Sequence, residues 1–467
     1  MQHALLLLCA SLSLPSSFAW AQSSELPRRP HVLLILTDDM GWMDLGCQGN
    51  DKLRTPHIDA LAAQGVRFTE AYAASPVCSP TRAALITGLA PARLNILQHG
   101  ADSKSFWPAD RTIQPPKIEH ILPHSRQTIA GRLREVGYGT AFFGKWHLSG
   151  TAVRKNDPST GGPAFYPDKH GFDVNVGGCG RGGPPTYFDP YRIPTLEPRK
   201  EGEYLTDRLA DETIAWMREH HDDPMFVALW TYNPHYPFEA PADLIPGYVG
   251  KEGPGLKNPV YGAQIEATDR ALGRVLNELG TLDIADETLV VFTSDNGGWS
   301  GATDNRPLKK GKGYLYEGGL RVPLILRWPG VTEPGTIEDT AVVSMDLAAT
   351  ILDAAGVRLE PDDVLDGDSL KPVIEGVAPM RAPLTFHYPH WAFHKDNRPG
   401  SAIRDGQYKL IHRYDDDSLE LYDLATDIGE TKNLSAAKPK VAARLRRELK
   451  QRLDTLGATR PKNLEGR

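Results

Sequence analysis

Several features that would settle the class of a chain at once are scarce or missing here. Cysteine is rare, four in 467 residues. Cys9 lies in the leader described below, so the mature chain keeps Cys47, Cys78 and Cys179, too few for a fold built on disulfides. No apolar run is long enough to span a bilayer, the nearest being residues 4–14. No long block of one charge occurs. The formal net charge of −7 is spread along the chain, which excludes nucleic acid or an anionic membrane as the main partner. Internal repeats are lacking, and the sole tract of biased composition is a Gly/Pro stretch at 177–185. Nor do histidines and cysteines fall at the tight spacings of a zinc site.

What is present begins with a leader. Residues 1–21 carry an apolar core and end in Ala19-Trp20-Ala21. That predicts a secretory signal peptide cut before Gln22, hence an exported protein, periplasmic or secreted, with no stable membrane insertion. The remainder is long enough for a large domain with an appendage.

Residues 31–36 are apolar on both faces, as in the middle of a parallel sheet, and stop at Asp38-Asp39. Thr55-Pro56 predicts a helix capped by Thr55, with proline in its first turn, closing at Gly65. A strand over 66–73 leads into Cys78, where the run CSPTRAALITG predicts a helix with Cys78 at its N-terminus. Helices predicted over 127–136, 203–219, 260–279 and 345–355 alternate with strands over 138–143, 224–231, 288–293 and 322–327. That alternation predicts an α/β, doubly wound, mostly parallel sheet over 30–370. Short strands over 384–387, 402–404, 408–414 and 419–424, then a helix over 438–456, predict a smaller α+β subdomain over 380–467.

Ligand groups in such sheets sit beyond the carboxyl ends of strands. Four polar clusters stand there: Asp38-Asp39, Lys145-Trp146-His147, Asn233-Pro234-His235-Tyr236-Pro237, and Asp295-Asn296-Gly297-Gly298. Asp38, Asp39, Asp295 and Asn296 offer the oxygen donors a hard cation such as calcium takes, ~6–8 in all. A turn with solvated aspartates is the plainer alternative. Cys78 and Arg82 together suit an anion, because unpaired N–H groups and the positive end of the helix dipole point at it. A structural thiol is the plainer reading there, and Lys145, His147, His235 and Lys312 each have an ordinary loop or core reading too.

The run Cys78, Pro80, Thr81, Arg82 followed by Thr87-Gly88 resembles the Cys-x-Pro-Ser/Thr-Arg motif of the sulfatase family, within the alkaline phosphatase superfamily. Thr81 stands where serine is commoner. Further matches are Asp38-Asp39, Gly144 to His147, Asn233 to Pro237, Asp295 to Gly298 and the stretch 311–319 with Lys312. Over nearly all its mature length the chain is similar to bacterial sulfatases of the arylsulfatase A and N-acetylgalactosamine sulfatase type. The resemblance implies an alkaline phosphatase-like fold. It implies that a maturation enzyme oxidises Cys78 to formylglycine, whose hydrate supplies the attacking oxygen. One calcium would be held by Asp38, Asp39, residue 78, Asp295 and Asn296, with Arg82 and calcium holding the hydrate and Asp295 accepting its proton. Lys145 and Lys312 would neutralise the sulfate, His235 protonate the leaving oxygen, and His147 drive sulfate release.

The implied substrate is an aryl sulfate or a sulfated glycan, cut in exo fashion, with a galactose-configured sugar the favoured case. Aromatic and polar groups at 177–188, His387 and His390 in 387–391, and Arg398 in 398–402 are expected to contact the sugar. Packing of the second domain is the alternative for them. Two other functions compete: a two-zinc phosphatase or phosphodiesterase of the same superfamily, and a sulfated-glycan binding protein in which Cys78 stays unconverted. With Cys78 converted, Cys47 and Cys179 are left either to pair or to remain free thiols.

Overall fold

Eight strands make the main sheet. In the computed structural model, which describes residues 29–99, 106–150, 161–377, 382–393 and 396–464, they are β1 (His31–Thr37), β2 (Val66–Phe68), β3 (Gly139–Gly144), β4 (Val174–Val176), β5 (Met225–Trp230), β6 (Thr288–Ser294), β7 (Leu324–Arg327) and β8 (Thr336–Glu338). The predicted signal peptide at 1–21 lies outside the described residues. The order across the sheet is β8-β2-β7-β6-β1-β5-β3-β4. All neighbours run parallel except β7, which is antiparallel to both β2 and β6. β1 lies in the middle and is buried along its whole length. Its continuous apolar run follows from that placement, since each face packs against helices.

Alternate residues of β1 serve two cores. Leu33 and Ile35 face the side covered by α1 (Pro56–Gln64), α4 (Leu205–His220) and α5 (Pro259–Thr281). Val32, Leu34 and Leu36 face α2 (Cys78–Thr87), α3 (Ile129–Glu135) and α6 (Ser344–Ala354). This is the doubly wound α/β arrangement.

The C-terminal sheet is antiparallel, in the order β9 (Leu384–Tyr388), β10 (Gly400–Asp405), β11 (Tyr408–Arg413), β12 (Leu419–Asp423). One face meets the larger unit through Phe386, Tyr388 and Ile411 against Tyr72, Val77 and Leu320. The other is covered by α7 (Pro439–Thr455), whose Ala442, Leu445, Leu449 and Leu453 stripe packs on Ile403, Leu410 and Leu421. That i, i+3, i+4 spacing is what an amphipathic helix on a sheet requires.

Two local expectations change, and one that was left open is decided. The strand expected over 66–73 is broken into 66–68 and 71–72. Thr55 precedes α1 but its side chain does not cap the helix. Instead, Asp269 of α5 accepts the first N–H groups, from His57 and Ile58, at 2.9–3.2 Å, while the Thr55 hydroxyl bonds Asp59 and Gly46. A carboxylate from another helix outcompetes the local hydroxyl because it brings full negative charge to the positive end of the dipole. Cys47 and Cys179 are both free thiols.

Candidate active site

Four adjacent parallel strands, β6-β1-β5-β3, deliver their C-terminal ends to one place. Beyond β1 come Asp38 and Asp39, beyond β6 Asp295 and Asn296, beyond β3 Lys145 and His147, and beyond β5 His235. Two of these residues, Asp39 (φ 67°) and His147 (φ 60°), hold the left-handed conformation. Such strain in non-glycine residues persists where surrounding structure over-determines it. Gly144 (φ +106°) makes the turn into Lys145, and a Cβ there would sit 1.9 Å from the Trp230 carbonyl oxygen.

From the opposite side, Cys78 starts α2, which ends at Gly88 with φ 72°. Every residue of α2 is buried. Cys78 Sγ lies 3.6 Å from Asp38 Oδ1 and 3.9 Å from Asp39 Oδ1. Ligand atoms of Asp38, Asp39, Cys78 and His235 all fall within 4.8 Å of one another, the single such cluster among the described residues.

Three cations meet three carboxylates in this space. Lys145 Nζ donates to Asp38 Oδ2 at 2.6 Å, and Lys312 Nζ to Asp39 Oδ2 at 2.8 Å. Arg82 donates from Nε to Asp295 Oδ2 at 2.8 Å and from Nη1 to the Lys145 carbonyl at 2.6 Å. Arg82 therefore fixes Asp295, and its Nη2 also lies 3.6 Å from Asp38 Oδ1. Asn296 Nδ2 donates to Asp39 Oδ1 at 2.7 Å, leaving Asn296 Oδ1 buried with no hydrogen-bond partner. An orphaned buried carbonyl oxygen beside three carboxylates is the donor chemistry that fits calcium, so the residues present suit the cation.

The ionisation of these groups follows from burial and neighbours. Burial, resisted by Lys145 and reinforced by Asp295 and Asp39, pushes Asp38 up to about 8. Burial acts the same way on Asp39, but Lys312, His235 and Lys145 outweigh it and hold that carboxyl below the usual range. Burial likewise works against Asp295, yet Arg82 and Lys145 keep it ionised. Lys312 is held charged by Asp39 against the pull of burial. The Cys78 thiol is pushed far up, by burial first and then by Asp295. Burial, helped by the nearby lysines, lowers His235 to about 3 and His147 well below its ordinary value. His235 Nδ1 lies 2.7 Å from the Tyr236 carbonyl, so Nδ1 carries the proton of the neutral ring and Nε2, 3.6 Å from Asp39 Oδ2, is left to face the pocket.

The pocket opens to a cleft of about 380 Å³ bordered by Asp39, His147, His235 and Lys312 on the polar side and by Tyr236, Trp299 and Phe393 on the other. Gly182, from the Gly/Pro loop, and His99 complete the rim. His99, Trp299 and Phe393 were not anticipated. Trp299 follows Asp295-Asn296-Gly297-Gly298 directly and was the one with a signal. His387, His390 and Arg398 are not brought to this cleft. His387 spends its ring nitrogens on Ser401 Oγ (2.6 Å) and the Thr459 carbonyl (2.8 Å). His390 is buried, and Arg398 is held by Asp415 and Asp416. His387 and Arg398 thus spend their polar groups inside the C-terminal unit, while His390 is shut off by burial.

The sulfatase family model matches residues 30–357, and a model of the N-sulphoglucosamine sulphohydrolase C-terminal region matches 310–459. The chain belongs to the sulfatase family. It is 32% identical to a sulfatase of Formosa agariphila, with 88% of this chain and 85% of that one covered. It is 31% identical to the N-acetylgalactosamine-6-sulfatase of Mus musculus, covering 88% and 77%. The solved structure of Ps i-CgsB in complex with k-i-k-neocarrahexaose superposes with a TM-score of 0.76 at 28% identity, over 91% of this chain and 93% of that one. As a type I sulfatase of the alkaline phosphatase superfamily, the protein is a sulfuric ester hydrolase. No helix among the described residues of this sulfatase is long and apolar enough to cross a membrane.

Proposed function

We propose that this sulfatase depends on one calcium ion and on formylglycine made from Cys78, and that it removes sulfate from the end of a sulfated glycan carrying galactose or N-acetylgalactosamine sulfate. The observation that carries the reading is the placement of buried Cys78 against three carboxylates and the orphaned Asn296 oxygen, with Lys145 and Lys312 alongside. Asp38, Asp39, Asp295, Asn296 and residue 78 would hold calcium, which when bound withdraws charge from a sulfate oxygen as a Lewis acid. Oxidation of Cys78 by a maturation enzyme would replace a thiol that burial keeps protonated with an aldehyde, which hydrates to an oxygen nucleophile.

The other roles belong to the chain's own groups. Lys145 and Lys312 offset the negative charge of the sulfate so that an anion can be approached. His235 presents Nε2 to the pocket, and the approach of an anionic substrate favours its protonated form, the one able to give a proton to the leaving oxygen. His147, deeper and neutral, would take a proton during sulfate release. A cleft of this size is near the lower end of ligand pockets, ~300–1,000 Å³, which suits a terminal sugar, and Tyr236 and Trp299 give that sugar an apolar wall. The neighbour solved with k-i-k-neocarrahexaose supports a glycan substrate, and the N-acetylgalactosamine-6-sulfatase relative supports a galactose-configured one. We assign catalysis to a domain over 30–370 with a C-terminal subdomain over 380–467, in a protein exported after cleavage near Ala21.

The test is the mass of the Cys78 tryptic peptide from natively exported protein, followed by sulfate release from a panel of sulfated sugars and an aryl sulfate. A peptide lighter by the change of CH2–SH to CHO, with release abolished in Cys78→Ala, is expected. Unmodified Cys78 in a host that matures such sites, with undiminished turnover, would refute the formylglycine reading. Preference for the aryl sulfate over every sugar would refute the glycan reading.

A further inference from the structure

Helix α7 is unlike the rest of the chain in charge. Its sequence PKVAARLRRELKQRLDT holds six basic residues against two acidic ones, in a protein whose formal net charge is −7. The apolar stripe packs on the C-terminal sheet, so the basic side chains are displayed outward. Three separate elements then close a cleft of about 320 Å³ around part of this face: Arg446, Arg447 and Lys450 from α7, His412 and Tyr414 from β11 and its end, and Arg460 from the C-terminal tail. Leu449 and Leu453 contribute apolar floor.

The cations here are only lightly engaged. Asp417 pairs with Arg446 and His412, and Asp454 pairs with Lys450 and Arg460. The side chains of Asp417 and Asp454 are 67% and 48% exposed, so these are surface pairs that an incoming anion exchanges at little cost. Arg447 pairs with no carboxylate among the described residues. None of these residues borders the cleft at Cys78. The tail that supplies Arg460 is nevertheless tied to that cleft's rim segment, since the Thr459 hydroxyl donates to Asn95 Oδ1 at 2.7 Å and His99 follows four residues on.

We propose that this basic cleft is a second binding site, which grips a sulfated polysaccharide chain away from the reacting sulfate. Guanidinium forks match sulfate oxyanions in geometry as well as charge, and the half-buried Tyr414 ring accepts the C–H face of a sugar. Sulfate esters stay ionised at all ordinary pH, so the attraction persists wherever the arginines do. The choice of a sulfated glycan as occupant rests on the function proposed above, but its test does not require turnover.

The experiment uses the full chain and the double variant Arg447→Glu/Lys450→Glu, with thermal midpoints compared to show that both are folded. Affinity for carrageenan chains is measured at low and high salt, with duplex DNA as a second polyanion. The wild-type protein is expected to bind carrageenan with an affinity that falls as salt rises, and the variant to lose at least tenfold. Hydrolysis of a sulfated monosaccharide is expected to stay within twofold, while desulfation of the polymer slows. An affinity unchanged in the variant, no binding by wild type at low salt, or tighter binding of DNA than of carrageenan would each overturn the proposal. Should the protein prove inactive on every sulfate ester, the binding measurement still decides this question by itself. If the charge-reversed variant unfolds, Arg447→Gln/Lys450→Gln replaces it, with at least a threefold loss expected.

Discussion

Lys409 on β11 sits between two acids at the seam of the two units. Its Nζ lies 2.9 Å from Glu317 Oε1 and 3.0 Å from Glu430 Oε1, and all three side chains are wholly buried. Lys409→Met keeps the length of the stem and removes the charge, leaving two carboxylates facing each other without their shared cation. Breaking a buried pair in this way costs about 3–5 kcal/mol, and the loss has a pH signature. Burial, with Lys409 pulling down and Glu317 pushing up, raises Glu430 from its ordinary 4.5 to about 7. A carboxyl raised in the folded state holds a proton that the unfolded chain releases, so stability declines as pH climbs from about 4.5 to about 7. That decline amounts to roughly 3 kcal/mol at ~1.4 kcal/mol per pH unit.

Without Lys409 Glu430 titrates higher still, and Glu317, which burial pushes up but Lys409 and Arg321 hold below its ordinary value, loses the first of those cations and rises too, so the decline extends past pH 7. The difference between variant and wild type is expected to be near 3–5 kcal/mol at pH 8 and markedly smaller at pH 5, where the orphaned acids take up protons. Urea unfolding at the two pH values measures it, and adding Glu430→Gln to the variant should recover most of the loss at pH 8. A penalty below about 1 kcal/mol at pH 8, or one equal at both pH values, would refute the reasoning.

Calcium is expected to raise the thermal midpoint of the wild-type protein, by the equivalent of about 2.7 kcal/mol at a hundredfold excess over Kd, and chelation to reverse it; Asn296→Ala should abolish the calcium-dependent shift seen by scanning calorimetry. Trp299→Ala removes the apolar wall facing the sulfate pocket and should raise KM for a sulfated sugar roughly three- to tenfold, the worth of an aromatic contact, with kcat changed less; an unchanged KM would place the sugar elsewhere. Gly144→Ala sets a Cβ 1.9 Å from the Trp230 carbonyl at φ +106°, so purified protein should show a lowered melting temperature, and an unshifted one would mean that the turn into Lys145 tolerates a side chain.

The site was legible where function and strand geometry coincide. Asp38-Asp39, Lys145, His147, His235 and Asp295-Asn296 follow strand ends directly, so recognising an apolar run and its stop was enough to place them on one edge of a parallel sheet. Cys78 and Arg82 announced themselves as a helix start. The sheet order could not be read this way, because strands apolar on both faces carry no mark of their neighbours, and the reversed β7 looks in sequence like any other. Thr55 failed as a cap for a related reason: the carboxylate that replaces it comes from Asp269, more than two hundred residues away. His387, His390 and Arg398 lie away from the cleft, which the sequence could not show because an aromatic, polar stretch reads alike whether it lines a cleft or packs inside a unit, as His387 does on Ser401 and Thr459 and Arg398 on Asp415.

Lys312 shows where legibility ends and why the C-terminal unit matters to catalysis. Its place in the sequence suggests a pocket lysine, but a lysine on a loop reaches a buried aspartate only if the loop is held. The holding is done five residues later, where Glu317 opens a one-turn helix, Glu317–Leu320. The N–H of Glu317 donates to Glu430 at 2.7 Å, and its carboxylate accepts from Lys409 Nζ and the Tyr72 hydroxyl. Gly318 and Gly319 allow that turn to fold back on the carbonyls of Lys309, Lys310 and Tyr314, which a Cβ would meet at 2.1–2.6 Å. Two of the three anchors of Glu317 belong to the C-terminal unit, so that unit is part of what keeps Lys312 against Asp39. A weakened seam at Lys409 should therefore cost sulfate turnover as well as stability, and it should do so at pH 8 more than at pH 5, in step with the unfolding data.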